Sequence, residues 1–147
     1  MKQKFSCFLI DEVRDNRNQF FLALDLLQAT RACICFDNAP HALSYAAQQA
    51  YKPDYIFLHT RQPGIDGVRQ LEELLQSPLL ADVPVIFYAA SFNPEDMTRM
   101  KFMGATDWMV KPSNLHALRD GLKLIFETVS GKQPVSLREA QPAAVLV

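Results

Sequence analysis

The sequence predicts a doubly wound α/β domain, a parallel five-stranded sheet with helices on both faces. Three observations predict it. Short apolar runs of strand length alternate with longer segments whose apolar residues recur at helical spacing. Gly, Pro, Asn and Asp mark most of the junctions between them. Charged or polar side chains stand at the ends of three apolar runs, where open α/β sheets place their ligand crevice. The 147 residues, 49% hydrophobic and 21% charged, suit one globular domain with its own core.

Phe5 to Ile10 reads as a first buried strand, stopped by Asp11-Glu12. From about Asn16 to Ala29, Phe20, Phe21, Leu24, Leu26 and Leu27 give helical spacing. Ala32 to Phe36 is the second strand, and Asp37-Asn38 with Pro40 signals the start of a helix running to Ala50. Pro53-Asp54 ends that segment, and the central strand runs to His59. Pro63, Gly64, Asp66 and Gly67 then form a polar loop. A helix over about Val68 to Leu75 follows, then a loop carrying Pro78. Val83 to Ala89 is the fourth strand, with Pro84 at its start, where a missing N–H is tolerated. Asn93-Pro94-Glu95-Asp96 opens a helix that ends at Gly104. Asp107 to Val110 is the fifth strand, followed by Lys111-Pro112 and a cap at Ser113 or Asn114. The last helix, about Leu115 to Val129, closes at Gly131.

Such alternation implies βαβ units with right-handed crossovers. The expected architecture is a flavodoxin-like (βα)5 sheet in strand order 2-1-3-4-5. Residues 1–131 form the domain, and residues 132–147 a C-terminal tail or linker whose Gln141-to-Val147 end is apolar.

Composition excludes several functional classes. A net charge of −1 gives no electrostatic case for nucleic acid or an anionic membrane as partner. The apolar run at the N-terminus is too short for a signal peptide, and no segment has bilayer-spanning length. We expect a cytoplasmic protein. Cys7, Cys33 and Cys35 cannot all pair, and Cys33-x-Cys35 within a strand puts both thiols on one face. Buried reduced cysteine is the expectation, since zinc would need further ligands that the sequence does not supply.

The polar strand ends are Asp11-Glu12, His59 and Lys111. A parallel sheet brings all three to one edge. Adjacent carboxylates repel unless a cation or Lys111 neutralises them. The set fits a divalent-metal and phosphoryl site, or equally a salt-bridge knot.

At these residues the sequence resembles the receiver domain of two-component response regulators, over about Lys4 to Glu127. The markers are Phe8-Leu9-Ile10-Asp11-Glu12 with Asn16-Arg17, the Leu58-to-Gly67 stretch, Pro84-Val85-Ile86, and Gly104 to Pro112. The resemblance implies that Asp11 and Glu12 stand at the Mg²⁺ pair and Lys111 at the phosphoryl-contacting lysine. It makes Trp108 the switch aromatic and Lys111-Pro112 the usual cis peptide. Two positions depart from the family: the phosphoacceptor aspartate is His59, and the hydroxyl position on the fourth strand is Ala89. Tyr88, Ser91 and Thr60 do not occupy that hydroxyl position.

Imidazole is a poor Mg²⁺ ligand, so the Mg²⁺ implied by the family is weakened here. We therefore expect a pseudo-receiver: not an enzyme, with no catalytic residue, the fold kept and phosphotransfer lost. His59 would hydrogen-bond or ion-pair with Asp11 or Glu12 and hold the site closed. Alternatively, Asp11, Glu12 and His59 together hold a transition metal. Plainer expectations make Lys111 an ion-pair partner of Asp11, and Trp108 packing against the fourth helix near Met97 and Met100. Phe92, Phe102 and Met103 would be core or interface, and His41 and His116 helix-surface residues.

The expected function is signalling by protein–protein contact. Its partner would be a histidine kinase, a phosphotransfer protein or a downstream effector. Homodimerisation would use roughly Pro94 to Met103, Asp107 to Val110 and Leu115 to Glu127. One competing function is a receiver still phosphorylated at a non-standard residue. Another is a small-molecule or flavin-binding domain, for which no Gly-rich phosphate loop follows the first strand.

Overall fold

The computed structural model describes residues 4–60 and 66–129. Pro63, Gly64, Gly131 and the tail lie outside the described residues. Five strands and five helices alternate: β1 (Phe5–Ile10), α1 (Arg14–Leu27), β2 (Thr30–Phe36), α2 (Ala39–Gln49), β3 (Tyr55–His59), α3 (Val68–Leu75), β4 (Val85–Ala89), α4 (Pro94–Met103), β5 (Asp107–Val110) and α5 (Leu115–Thr128). All the strand pairings are parallel, in the order β2-β1-β3-β4-β5. The doubly wound, flavodoxin-like topology is as the sequence predicts.

Strand parity divides the core. Phe8, Ile10, Ile56, Leu58, Val85 and Phe87 face the side covered by α2, α3 and α4. Cys7, Leu9, Tyr55, Phe57, Ile86 and Tyr88 face α1 and α5. The three central strands are apolar on both faces because both are covered, which is why they read as continuous runs. Burying each of their Leu, Ile and Phe side chains contributes about 1.5–3 kcal/mol. Cys33 and Cys35 share the α1 side as predicted but are only half-buried, because β2 is an edge strand; no cysteine is disulfide-bonded.

Local chemistry sets the element ends. The side chains of Asn38, Asn93 and Asn114 each accept a backbone N–H from the first turn of α2, α4 and α5 respectively. Gly104 closes α4 at φ +116°, in the left-handed region that glycine adopts most readily. β4 starts at Val85 rather than Val83, since Pro84 has no N–H to give the ladder, although its carbonyl accepts from Ile56. β2 starts two residues earlier than expected, at Thr30, as the Phe5 N–H bonds the Ala29 carbonyl. The Lys111–Pro112 peptide is trans, contrary to the expectation of a cis bond. Trans is the ordinary preference of X–Pro. His41 and His116 are exposed, as expected of helix-surface residues. No helix among the described residues is long and apolar enough to cross a membrane.

Candidate functional site

The carboxyl ends of β1, β3 and β4 meet at one edge of the sheet, with the start of α1 folded over them. Parity places the side chains. Asp11 continues the Cys7–Leu9 face of β1, His59 continues the Tyr55–Phe57 face of β3, and Tyr88 follows Ile86 on β4. His59 and Tyr88 are register partners, and their ring centroids lie 4.9 Å apart.

Asp11 is the hub of the site. Its side chain is fully buried, and the His59 side chain is 10% exposed. Asp11 Oδ1 accepts the Val13 N–H at 2.9 Å, one of the orphan donors where α1 begins. The same oxygen lies 3.5 Å from His59 Nδ1 and accepts from Asn16 Nδ2 at 3.5 Å. Asp11 Oδ2 accepts the Tyr88 hydroxyl. Burial first, and then the Asp11 charge, push the Tyr88 phenol far above its ordinary pKa, so it keeps its proton and donates. Arg17 Nε donates to the Asp11 carbonyl while its guanidinium also bonds Asp37, pinning the backbone at this corner.

An open cleft of about 540 Å³ lies above the cluster, lined among others by Asn16, His59, Thr60, Ser91, Asn93 and Lys111. The strand ends predicted to converge therefore do so in part. His59 and Lys111 line the cleft, and Asp11 sits beneath it against His59. Ala89 is buried, on the β4 face opposite to Tyr88, and supplies no hydroxyl. Trp108 is half-buried and packs on the cluster containing Met100, together with Phe92 and Met103. The expectation of packing at α4 holds for Trp108, while Phe102 is 93% exposed.

One expectation fails on geometry. Lys111 is exposed and makes no ion pair with Asp11 among the described residues; its backbone N–H bonds the Ala89 carbonyl at 2.7 Å. Asp11 is instead met by Tyr88, Asn16, His59 and the Val13 N–H. Asp11 and Glu12, just past the end of β1, also differ in burial: Asp11 is buried and Glu12 exposed. Among the described residues, no group of three His, Cys, Asp or Glu side chains is placed to hold a metal ion. That removes the transition-metal arrangement of Asp11, Glu12 and His59. It also bears on Mg²⁺, which demands near-octahedral oxygen ligands. The donor set here does not fit that ion, since Asp11 is spent on protein donors and position 59 offers imidazole.

Tyr88 is the residue that sequence reasoning missed. Its signal was there in parity: it lies one residue before Ala89 and on the same face as His59.

Comparison with known proteins identifies the family. The family described as "Response regulator receiver domain" matches residues 7–123. The transcriptional regulatory protein KdpE of Staphylococcus aureus is 30% identical over 116 residues, covering 79% of this chain and 46% of that protein. The phosphate regulon transcriptional regulatory protein PhoB of Pseudomonas aeruginosa is 26% identical over 118 residues, covering 80% of this chain and 50% of that protein. The chain thus spans about half the length of these relatives. Among solved structures, the chemotaxis response regulator CheY4 of Vibrio cholerae superposes with TM-score 0.69 at 20% identity, covering 84% of this chain and 100% of that one. The phosphorylated cyanobacterial phytochrome response regulator RcpA gives TM-score 0.72 at 24% identity, over 84% and 92%. The family match spans residues 7–123 of the 147, over a sheet in the order β2-β1-β3-β4-β5, and the chain belongs to the response regulator receiver domain family.

Proposed function

We propose that this chain is a pseudo-receiver of two-component signalling, acting by protein–protein contact without taking a phosphoryl group and without enzymatic activity. One observation carries the reading: at the phosphoacceptor position, His59 stands against Asp11 in a buried cluster that Tyr88 closes from below. An acceptor aspartate there supplies both the nucleophile and a cation ligand; imidazole supplies neither in that form. The missing hydroxyl at Ala89 supports the same reading, because no side chain at that position is available to follow a phosphoryl group.

Output then depends on surface. Phe102 on α4 is 93% exposed and Val110 on the edge strand β5 is 58% exposed, so the face of α4, β5 and α5 offers apolar contacts to a second copy or to a protein partner. The partner is a histidine kinase, a phosphotransfer protein or a downstream effector.

The test is intact mass after incubation with acetyl phosphate and Mg²⁺. The expected spectrum shows no phosphoryl adduct. A stable adduct would overturn the reading in favour of a receiver phosphorylated at a non-standard residue, and peptide mapping would locate it.

A further inference from the structure

We infer that Tyr88 is a second, independent closure of the acidic corner: its hydroxyl holds Asp11 so that a divalent cation is excluded even when position 59 carries a carboxylate. This rests on the pseudo-receiver reading and extends it from one residue to two.

Asp11 has few acceptor sites left to give a cation. A carboxylate has about four lone-pair sites. Here the Val13 N–H, Asn16 Nδ2 and His59 Nδ1 gather on Oδ1, and the Tyr88 hydroxyl takes Oδ2. Replacing His59 removes only one of these four. Oδ2 keeps the phenol as its donor, and Phe20 still holds the Tyr88 ring when residue 59 changes.

Nor can the phenol step aside easily. Tyr88 is 2% exposed, and its ring lies between Phe20, at 5.8 Å between centroids, and His59, at 4.9 Å. Swinging the hydroxyl away would tear the ring out of the packed face that includes Phe57 and Leu118. A buried hydrogen bond to a charged group is among the stronger neutral-donor contacts. A cation approaching Asp11 must displace that donor and strand the phenol in an apolar layer. Tyr88 is thus a positioning residue, acting on cation access through Asp11.

Isothermal titration with Mn²⁺ tests this on the whole chain as wild type, His59→Asp, and His59→Asp combined with Tyr88→Phe. Phenylalanine keeps the ring and removes only the donor. The expected result is no measurable binding to wild type, weak binding to His59→Asp, and binding at least about tenfold tighter to the double variant, since one hydrogen bond to a charged group is worth roughly that factor. Circular dichroism on each chain separates this gain from a change of fold. If the double variant does not fold, His59→Asp with Tyr88→Leu replaces it under the same criterion. Binding by His59→Asp within about twofold of the double variant, or no gain in the double variant, overturns the inference. A wild-type chain that takes a phosphoryl group from acetyl phosphate, with the tenfold gap still present, instead sinks the pseudo-receiver reading and leaves the Tyr88 closure standing.

Discussion

Replacing His59 by aspartate should cost stability, and the size follows from the site. His59 Nδ1 is 3.5 Å from a fully buried Asp11 oxygen, and its side chain is itself only 10% exposed. In metal-free buffer the substitution places a second carboxyl against the first, with Lys111 exposed and unpaired with Asp11. Two unit charges about 5 Å apart repel by about 3 kcal/mol at an effective dielectric of about 20. Some of that is relieved when one carboxyl keeps its proton, so about 2–3 kcal/mol should be lost at pH 8 in metal-free buffer. The sign with pH is fixed. The introduced carboxyl holds its proton more tightly in the folded chain than in the unfolded one. The folded state therefore binds more protons, and stability falls as pH rises above about 4, the ordinary range of an aspartate. Below that, both states are protonated and the penalty vanishes. Urea unfolding of wild type, His59→Asp and His59→Asn between pH 4 and pH 8 reads this directly. The asparagine variant loses the imidazole without adding charge. If His59→Asp and His59→Asn agree within about 0.5 kcal/mol at pH 8, the electrostatic account of the cluster is wrong.

Other predictions concern the frame that holds the site. A Cβ at Gly67 would stand 2.9 Å from Phe87 Cε1 and 3.1 Å from Thr60 Cγ2, both in buried residues. Gly67→Ala should therefore destabilise by about 1–3 kcal/mol in urea melts. Gly104→Ala puts a side chain at φ +116°, which should cost about 1–3 kcal/mol and lower the Tm. The buried Tyr55 hydroxyl donates to the Val129 carbonyl just past α5. Tyr55→Phe should cost about 1 kcal/mol and speed amide exchange in the last turn of α5 without altering the cleft; unchanged exchange there would mean that the bond does not anchor the helix.

The fold was legible because each strand is a compact apolar run and each link carries its own turn chemistry. Phe5–Ile10, Tyr55–His59 and Asp107–Val110 stand where their patterns put them. Boundaries slipped where backbone bonding, not side-chain pattern, decides. Thr30 joins β2 through the ladder, and Pro84 delays β4. The site was half legible. Position along the chain put His59 beside Asp11, because both end parallel strands of one sheet. It could not tell that Asp11 is buried while Glu12 is exposed, since both lie past the end of β1 where strand alternation no longer places side chains. It also failed for Lys111, whose long side chain leaves the strand end for solvent. For Tyr88, parity gives the face, but register with His59 and the depth of the α1 side of the sheet decide its role, and both are tertiary.

Trp108 is the sole tryptophan of the chain and packs beside α4, so its fluorescence reports on the link between the site and that face. Whether the corner is closed to phosphate is read from Trp108 emission as acetyl phosphate is added to wild type in the presence of Mg²⁺. A closed, phosphate-independent site predicts an unchanged spectrum through the whole titration. A saturable change that needs both Mg²⁺ and the phosphodonor would contradict it, because the corner formed by Asp11, His59 and Tyr88 would then be open to the chemistry that the account says it excludes.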